Sequence, residues 1–155
     1  MNLRIVNGLP VWGNADQIYI DKVSKLQKKA IRSITFSDYQ APVQPLLKDL
    51  EILSVKDLFK QQVASLMWDL DHDLLPTSIS NYFSKRRNEH SHQTRLAVSD
   101  KYTVNSYNTS SYGFKSFQVQ GALLLNDLKN QDIYINARSK KSFLNQLRVK
   151  LLDSY

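Results

Sequence analysis

The sequence contains no cysteine, which excludes a disulfide framework, every thiolate metal site and any cysteine nucleophile. Glycine and proline are scarce, at four each, and the glycines are too scattered for a phosphate-cradling loop. No serine stands in a Gly-x-Ser-x-Gly elbow. No apolar run approaches the ~18 residues of a transmembrane helix, so no membrane partner is expected. The opening Met1–Pro10 stretch lacks the apolar core of a signal peptide, and the expectation is an intracellular chain, nuclear or cytoplasmic. Neither a fixed-period repeat nor a low-complexity tract occurs.

The 155 residues are 42% hydrophobic and 10% aromatic, enough to fill the core of one domain. The net charge is +7, and it is unevenly placed. Residues 1–50 carry seven Lys/Arg against four acids, residues 51–80 two against five, and residues 81–155 twelve against five. An acidic middle is therefore flanked by basic ends, a balance that suits a polyanionic partner without establishing one.

Hydrophobic periodicity predicts a mainly α fold: a single small helical domain over 1–155. It divides into a helical part over 1–84, a basic polar loop region over 85–113 and a C-terminal helical part over 114–155. The clearest helix spans 16–35, after a turn with Asp16 or Asn14 as cap. At about 100° per residue, Tyr19, Ile20, Val23, Leu26, Ala30, Ile31 and Ile34 share one arc, expected to pack inward, while Lys22, Lys25, Lys28, Lys29 and Arg32 share the opposite one. Pro45 reads as a first-turn proline for a short helix over 46–50. Ser54 and Asp57 form a capping box for a helix over 55–72, whose inward face is Val55, Leu58, Phe59, Val63, Leu66, Met67 and Leu70. Residues 76–83 give one or two further turns. The alternation over about 95–112 fits either short strands or an extended loop. Helices at 114–128, with Gly121 at its centre, and 140–153 complete the reading, the latter turning Phe143, Leu144, Leu147, Leu151 and Leu152 inward.

Few residues offer chemistry. Asp69, Asp71 and Asp73 sit at i, i+2, i+4, so Asp71 points away from the other two, and a solvated helix end is expected rather than a metal site. His90 and His92 lack the companions zinc requires. No cofactor, metal or catalytic residue is assigned. The helix cations are the best binding feature. Lys25, Lys28, Lys29 and Arg32 are expected phosphate contacts, because like charges on one face repel and a phosphate backbone relieves them. The bland alternative is a solvated face opposite an acidic neighbour such as 51–80. Lys85, Arg86, Arg87 and Arg95, near Tyr102, Tyr107 and Tyr112, form a second candidate, since single strands are bound by cations beside stacking rings. The alternative there is a flexible basic loop. Trp12 and Trp68 are expected in a core or interface.

The order of the pieces adds a further reading. Val11-Trp-Gly-Asn14 precedes Lys25-Leu-Gln-Lys-Lys-Ala-Ile-Arg32, then Pro45-Leu-Leu-Lys-Asp-Leu-Glu-Ile-Leu53 and Val55-Lys-Asp-Leu-Phe-Lys60. Leu74-Leu-Pro76, His90-Ser-His-Gln-Thr-Arg95 and Ser142-Phe-Leu-Asn-Gln-Leu147 follow. Over nearly the whole chain this resembles the C-terminal, post-thumb region of reverse transcriptases from LINE-like, non-long-terminal-repeat retrotransposons of the jockey and chicken-repeat kind. The resemblance implies a helical, non-catalytic part of an RNA-directed DNA polymerase, with template RNA or target DNA and the polymerase body as partners. No tyrosine is followed by x-Asp-Asp, so the polymerase motif is absent from this stretch. Where the family carries Trp-Asn-x-Leu-Pro, this chain has Gly121-Ala-Leu-Leu-Leu-Asn-Asp-Leu128, keeping Asn126 and Leu128, as in a diverged copy. The missing cysteines exclude the zinc knuckle that ends some of these enzymes. A start at Met1 inside the first motif raises the alternative of a truncated relic; a scaffold docking on the polymerase is another.

Overall fold

The computed structural model describes residues 8–85, 101–104, 113, 115–131, 134 and 137–155. It is mainly helical: α1 (Leu9–Trp12), α2 (Gln17–Ile34), α3 (Val43–Asp49), α4 (Val55–Asp71), α5 (Thr77–Ser80), α6 (Phe117–Leu128) and α7 (Lys140–Asp153). No strand occurs among the described residues; one antiparallel bridge joins Lys85 to Tyr102. The expected strand-or-loop stretch at 95–112 lies largely outside the described residues. The chain divides differently from the expected sequential parts, into a unit of residues 1–62 with 144–155 and a unit of residues 63–143. The expected loop region thus falls inside the second unit, and the last helix contributes to both.

In the first unit, α1 is a single turn that periodicity misses because four residues are too few to display a period. Gly8 caps it at φ 68, a backbone open to glycine at no steric cost. The Gly13 N–H closes it on the Leu9 carbonyl at 2.7 Å. Leu9, fully buried, forms a cluster with Leu53 and Leu58, against which Trp12, Phe59, Leu151, Leu152 and Tyr155 pack. Burying a side chain of this size contributes roughly 1.5–3 kcal/mol. α3 begins at Val43, earlier than expected, with Pro42 at the cap and Pro45 in the first turn, where a missing N–H costs nothing. It packs on α2 through Ile31, Val43 and Leu47.

The N-terminus of α4 is held by a network of side-chain hydrogen bonds. Ser54 Oγ accepts from Asp57 N at 3.2 Å, as a capping box requires, and donates to Asp57 Oδ2 at 2.6 Å. The reciprocal bond is relayed: the Ser54 N–H donates to the Tyr155 hydroxyl at 2.7 Å, which donates to Asp57 Oδ2 at 2.7 Å. Gln27 of α2 uses both ends of its amide here, donating to the Leu53 carbonyl at 2.8 Å and accepting from Val55 N at 3.1 Å.

In the second unit, Val63, Ala64, Met67 and Leu70 of α4 are buried, as are Val119, Ala122, Leu125 and Leu128 of α6. Gly121 explains how closely the two helices approach. A Cβ there would lie 2.7 Å from Met67 Sδ. Trp68, buried as expected, stacks on His72 at 4.1 Å and on Phe143 at 4.9 Å between centroids.

Three helices end alike. Ser37 N donates to the Arg32 carbonyl at 3.0 Å, Ile52 N to Leu47 at 2.8 Å and Leu74 N to Asp69 at 2.8 Å. These are the six-to-one bonds of Schellman endings, and the residues before them, Phe36, Glu51 and Asp73, have φ of 51°, 51° and 56°. Glycine is the ordinary occupant of that position. Here none of the three is glycine.

Candidate nucleic-acid interface

α2 carries the expected cation face. Lys22, Lys25, Lys28 and Lys29 are exposed. Among the described residues, Lys25, Lys28 and Lys29 make no ion pair, and Lys22 Nζ lies 5.5 Å from the Tyr19 ring centroid. Asp21 shares this face, accepting from Gln17 Nε2 at 2.5 Å. Arg32 differs from its neighbours. Its Nε and Nη2 both donate to the Ala41 carbonyl, at 3.0 and 2.9 Å, and its Cζ lies 5.8 Å from the Tyr39 ring centroid. The guanidinium is therefore held in place by the loop after α2, with the Nη1 group taking no partner among the described residues.

The opposite, apolar arc of α2 is covered only in part, which corrects the expectation that all of it packs inward. Ile20 and Ile31 are buried and Val23 is half-buried, whereas Tyr19, Leu26, Ala30 and Ile34 are exposed. Periodicity locates an arc; it does not say how much of that arc finds a neighbour.

The loop at the end of α2 contributes two rings that the sequence reading passed over, Phe36 and Tyr39. Phe36 is 97% exposed and Tyr39 75%. Lys29, Arg32, Ser33, Phe36, Ser37 and Tyr39 line an open recess of about 660 Å³. The left-handed backbone of Phe36 costs about 1–2 kcal/mol relative to a glycine there. The available signal was an aromatic residue just past the last periodic position, where a glycine stop would ordinarily stand.

The second candidate cluster fares otherwise. Arg86, Arg87, Arg95, His90, His92, Tyr107 and Tyr112 lie outside the described residues. Lys85 is drawn into a structural ion cluster: its Nζ is 3.4 Å from Asp71 Oδ1 and 5.5 Å from the Tyr102 ring centroid. Tyr102 is 3% exposed, so its ring offers no stacking surface. Its backbone is clamped by Asn126, whose Oδ1 accepts from Tyr102 N at 2.8 Å and whose Nδ2 donates to Tyr102 O at 2.9 Å.

Asp71 overturns the reading of a solvated helix end. It receives Lys129 Nζ at 2.8 Å, the Tyr134 hydroxyl at 2.5 Å and the Tyr102 hydroxyl at 3.1 Å. Burial pushes its carboxyl up, but the hydrogen bonds from Lys129 and Tyr134 and the charges of Lys129 and Lys85 outweigh that and hold it below the usual range. Asp69 pairs with Lys140 at 2.5 Å. Among the described residues no three acids or histidines converge as a metal site would need, and no helix is long and apolar enough to cross a membrane. Comparison with family models, curated proteins and solved structures found no match.

Proposed function

We propose that this chain is the non-catalytic C-terminal part of a LINE-like retrotransposon reverse transcriptase and that it grips template RNA or target DNA through α2. The parentage rests on the order and spacing of the sequence motifs. The binding rests on one observation: Lys25, Lys28 and Lys29 are exposed on a single helix face without an ion pair among the described residues. Three of the five acids of 51–80 are engaged elsewhere, Asp57 with Lys60, Asp69 with Lys140, and Asp71 with Lys129 and Lys85. A phosphate backbone laid along this face replaces like-charge repulsion by attraction and releases counterions.

The test is oligonucleotide affinity as a function of salt. The Lys25→Gln, Lys28→Gln, Lys29→Gln variant should bind single-stranded RNA and DNA more weakly. Its log–log salt slope should be shallower by about 2, at ~0.7 per single-strand phosphate contact. Absence of wild-type binding at low salt, or an unchanged slope in the variant, sinks the reading. For the parentage, an open frame upstream of Met1 that encodes Tyr-x-Asp-Asp is the expected finding.

A scaffold docking on the polymerase body is the second reading, favoured by the uncovered Tyr19, Leu26 and Ala30 of α2. Its mark is binding to the parent thumb domain that Leu26→Asp abolishes and that is indifferent to nucleic acid.

A further inference from the structure

We infer that the recess at the end of α2 seats an unpaired nucleobase on the face of Phe36, so that the chain takes single strands in preference to duplexes. This rests on the nucleic-acid reading above and names the form of nucleic acid. Three observations carry it.

First, Phe36 presents a flat apolar ring to solvent at 97% exposure, on a backbone with φ 51 where glycine is the favoured residue. Glu51 and Asp73 end their helices on the same backbone with exposed polar side chains, so what sets Phe36 apart is a large apolar ring held in solvent at such an ending, and that points to a contact made by the ring. Second, the ring is mounted on a braced turn. Thr35 N and Oγ1 both donate to the Ile31 carbonyl at 3.0 Å, the Thr35 and Ser37 hydroxyls are 2.8 Å apart, and Ser37 N holds the Arg32 carbonyl. Third, the recess is charged in the right sense. Lys29 and Arg32 line it together with Phe36 and Tyr39, and no acid does. The acid of the neighbouring loop, Asp38, spends one carboxylate oxygen on Gln40 N at 2.8 Å.

A base paired and stacked inside a duplex has no free π-face, whereas an unpaired base offers one whatever its identity. Phe36 has no hydrogen-bonding group, so it reads the face and not the sequence. A base resting on it leaves its own phosphate within the reach of the long Lys29 and Arg32 side chains. The predicted ligand is a single-stranded segment of RNA or DNA, bound with little sequence preference.

The experiment uses the full chain and four labelled probes of equal length: single-stranded RNA, single-stranded DNA, an abasic single strand and a duplex. The key variant is Phe36→Gly, which suits the left-handed backbone and so leaves folding intact, as its melting temperature will report. Expected is a roughly 5- to 30-fold loss for the base-bearing single strands, the lower part of the range for one stacked base, with little change for the abasic strand and the duplex. Equal binding of all four probes by Phe36→Gly and wild type overturns the inference. So does a wild-type preference for duplex, or displacement of the single strand by polyglutamate as readily as by unlabelled strand. In those cases the α2 reading still stands if the Lys25, Lys28, Lys29 variant binds more weakly. No wild-type binding to any probe at low salt removes both.

Discussion

Replacing Tyr155 by Phe removes one oxygen and leaves the ring, which packs on both the Leu9 and the Ile31 clusters of its unit. The oxygen makes two bonds, accepting from Ser54 N and donating to Asp57 Oδ2, each at 2.7 Å. A neutral hydrogen bond contributes about 0.5–1.5 kcal/mol and one to a charged group about 1.5–3 kcal/mol. Asp57 keeps its bonds from Ser54 and Lys60, at 2.6 and 3.0 Å, so the lower end applies and the loss should be about 2–3 kcal/mol. For a chain of this size that is a fall in Tm of roughly 5–10 °C. The pH dependence supplies an independent arm. Burial raises the Asp57 carboxyl, but hydrogen bonds from Ser54, Tyr155 and Lys60 and the Lys60 charge carry it below its ordinary 3.8. A depressed folded value means that its stabilisation is present above the unfolded value and is lost as pH falls through the folded one. Without the Tyr155 hydroxyl the folded value moves back up. The penalty of the variant should therefore hold at neutral pH and shrink as pH falls below the ordinary 3.8 toward the depressed folded value. Urea unfolding of both proteins at several pH values reads this directly. A penalty below about 0.5 kcal/mol at neutral pH, or one that does not change with pH, refutes the relay.

Three further substitutions separate structural from incidental features. Asp71→Asn deprives Lys129, whose side chain is 10% exposed, of this carboxylate, and should cost about 3 kcal/mol in urea unfolding. The matched change Asp69→Asn, facing a Lys140 that is 37% exposed, should cost under about 1 kcal/mol; equal effects would contradict the burial argument. Gly121→Ala gains helix propensity of about 1 kcal/mol but drives a methyl to 2.7 Å from the sulfur of the fully buried Met67. Overpacking at about 1–3 kcal/mol should win, giving a small net loss. Combination with Met67→Ala should be non-additive by at least about 0.5 kcal/mol.

Much of the helical frame was legible because long amphipathic helices write their period into the sequence. α2, α4 and α7 lie within one residue of the expected ends. Fading periodicity located the stops of α2 and α4, since the glycine that usually marks a helix ending is replaced by Phe36, Glu51 and Asp73 after α2, α3 and α4. Asp71 shows a different limit. Its spacing correctly separates it from Asp69 and Asp73, yet its partners Lys129 and Tyr134 are 58 and 63 residues away in sequence. No local pattern announces such a pairing. For the candidate site, the cations were legible as a helix face, while the recess was not. Its rings lie beyond the periodic segment, and the turn that presents Phe36 lacks the glycine that ordinarily marks such an ending.

The charge balance gains a physical meaning from these pairings. On α2, Lys22–Lys25, Lys25–Lys28, Lys25–Lys29, Lys28–Arg32 and Lys29–Arg32 are neighbours at helical spacing. Like charges so placed cost a few tenths of a kcal/mol each, roughly 1–2.5 kcal/mol in sum at low salt. Salt screens such repulsion over about 10 Å at 0.1 M, so the helix itself is most strained where a polyanion would bind most tightly. Asp21 offsets part of this at one end of the face. The carboxylates of Asp57, Asp69 and Asp71 offset other cations, because each is fixed by hydrogen bonds to its own partners. With those three carboxylates spent elsewhere, the cations of α2 keep their mutual repulsion, and among the described residues they stand beside the exposed Phe36 ring on its left-handed backbone.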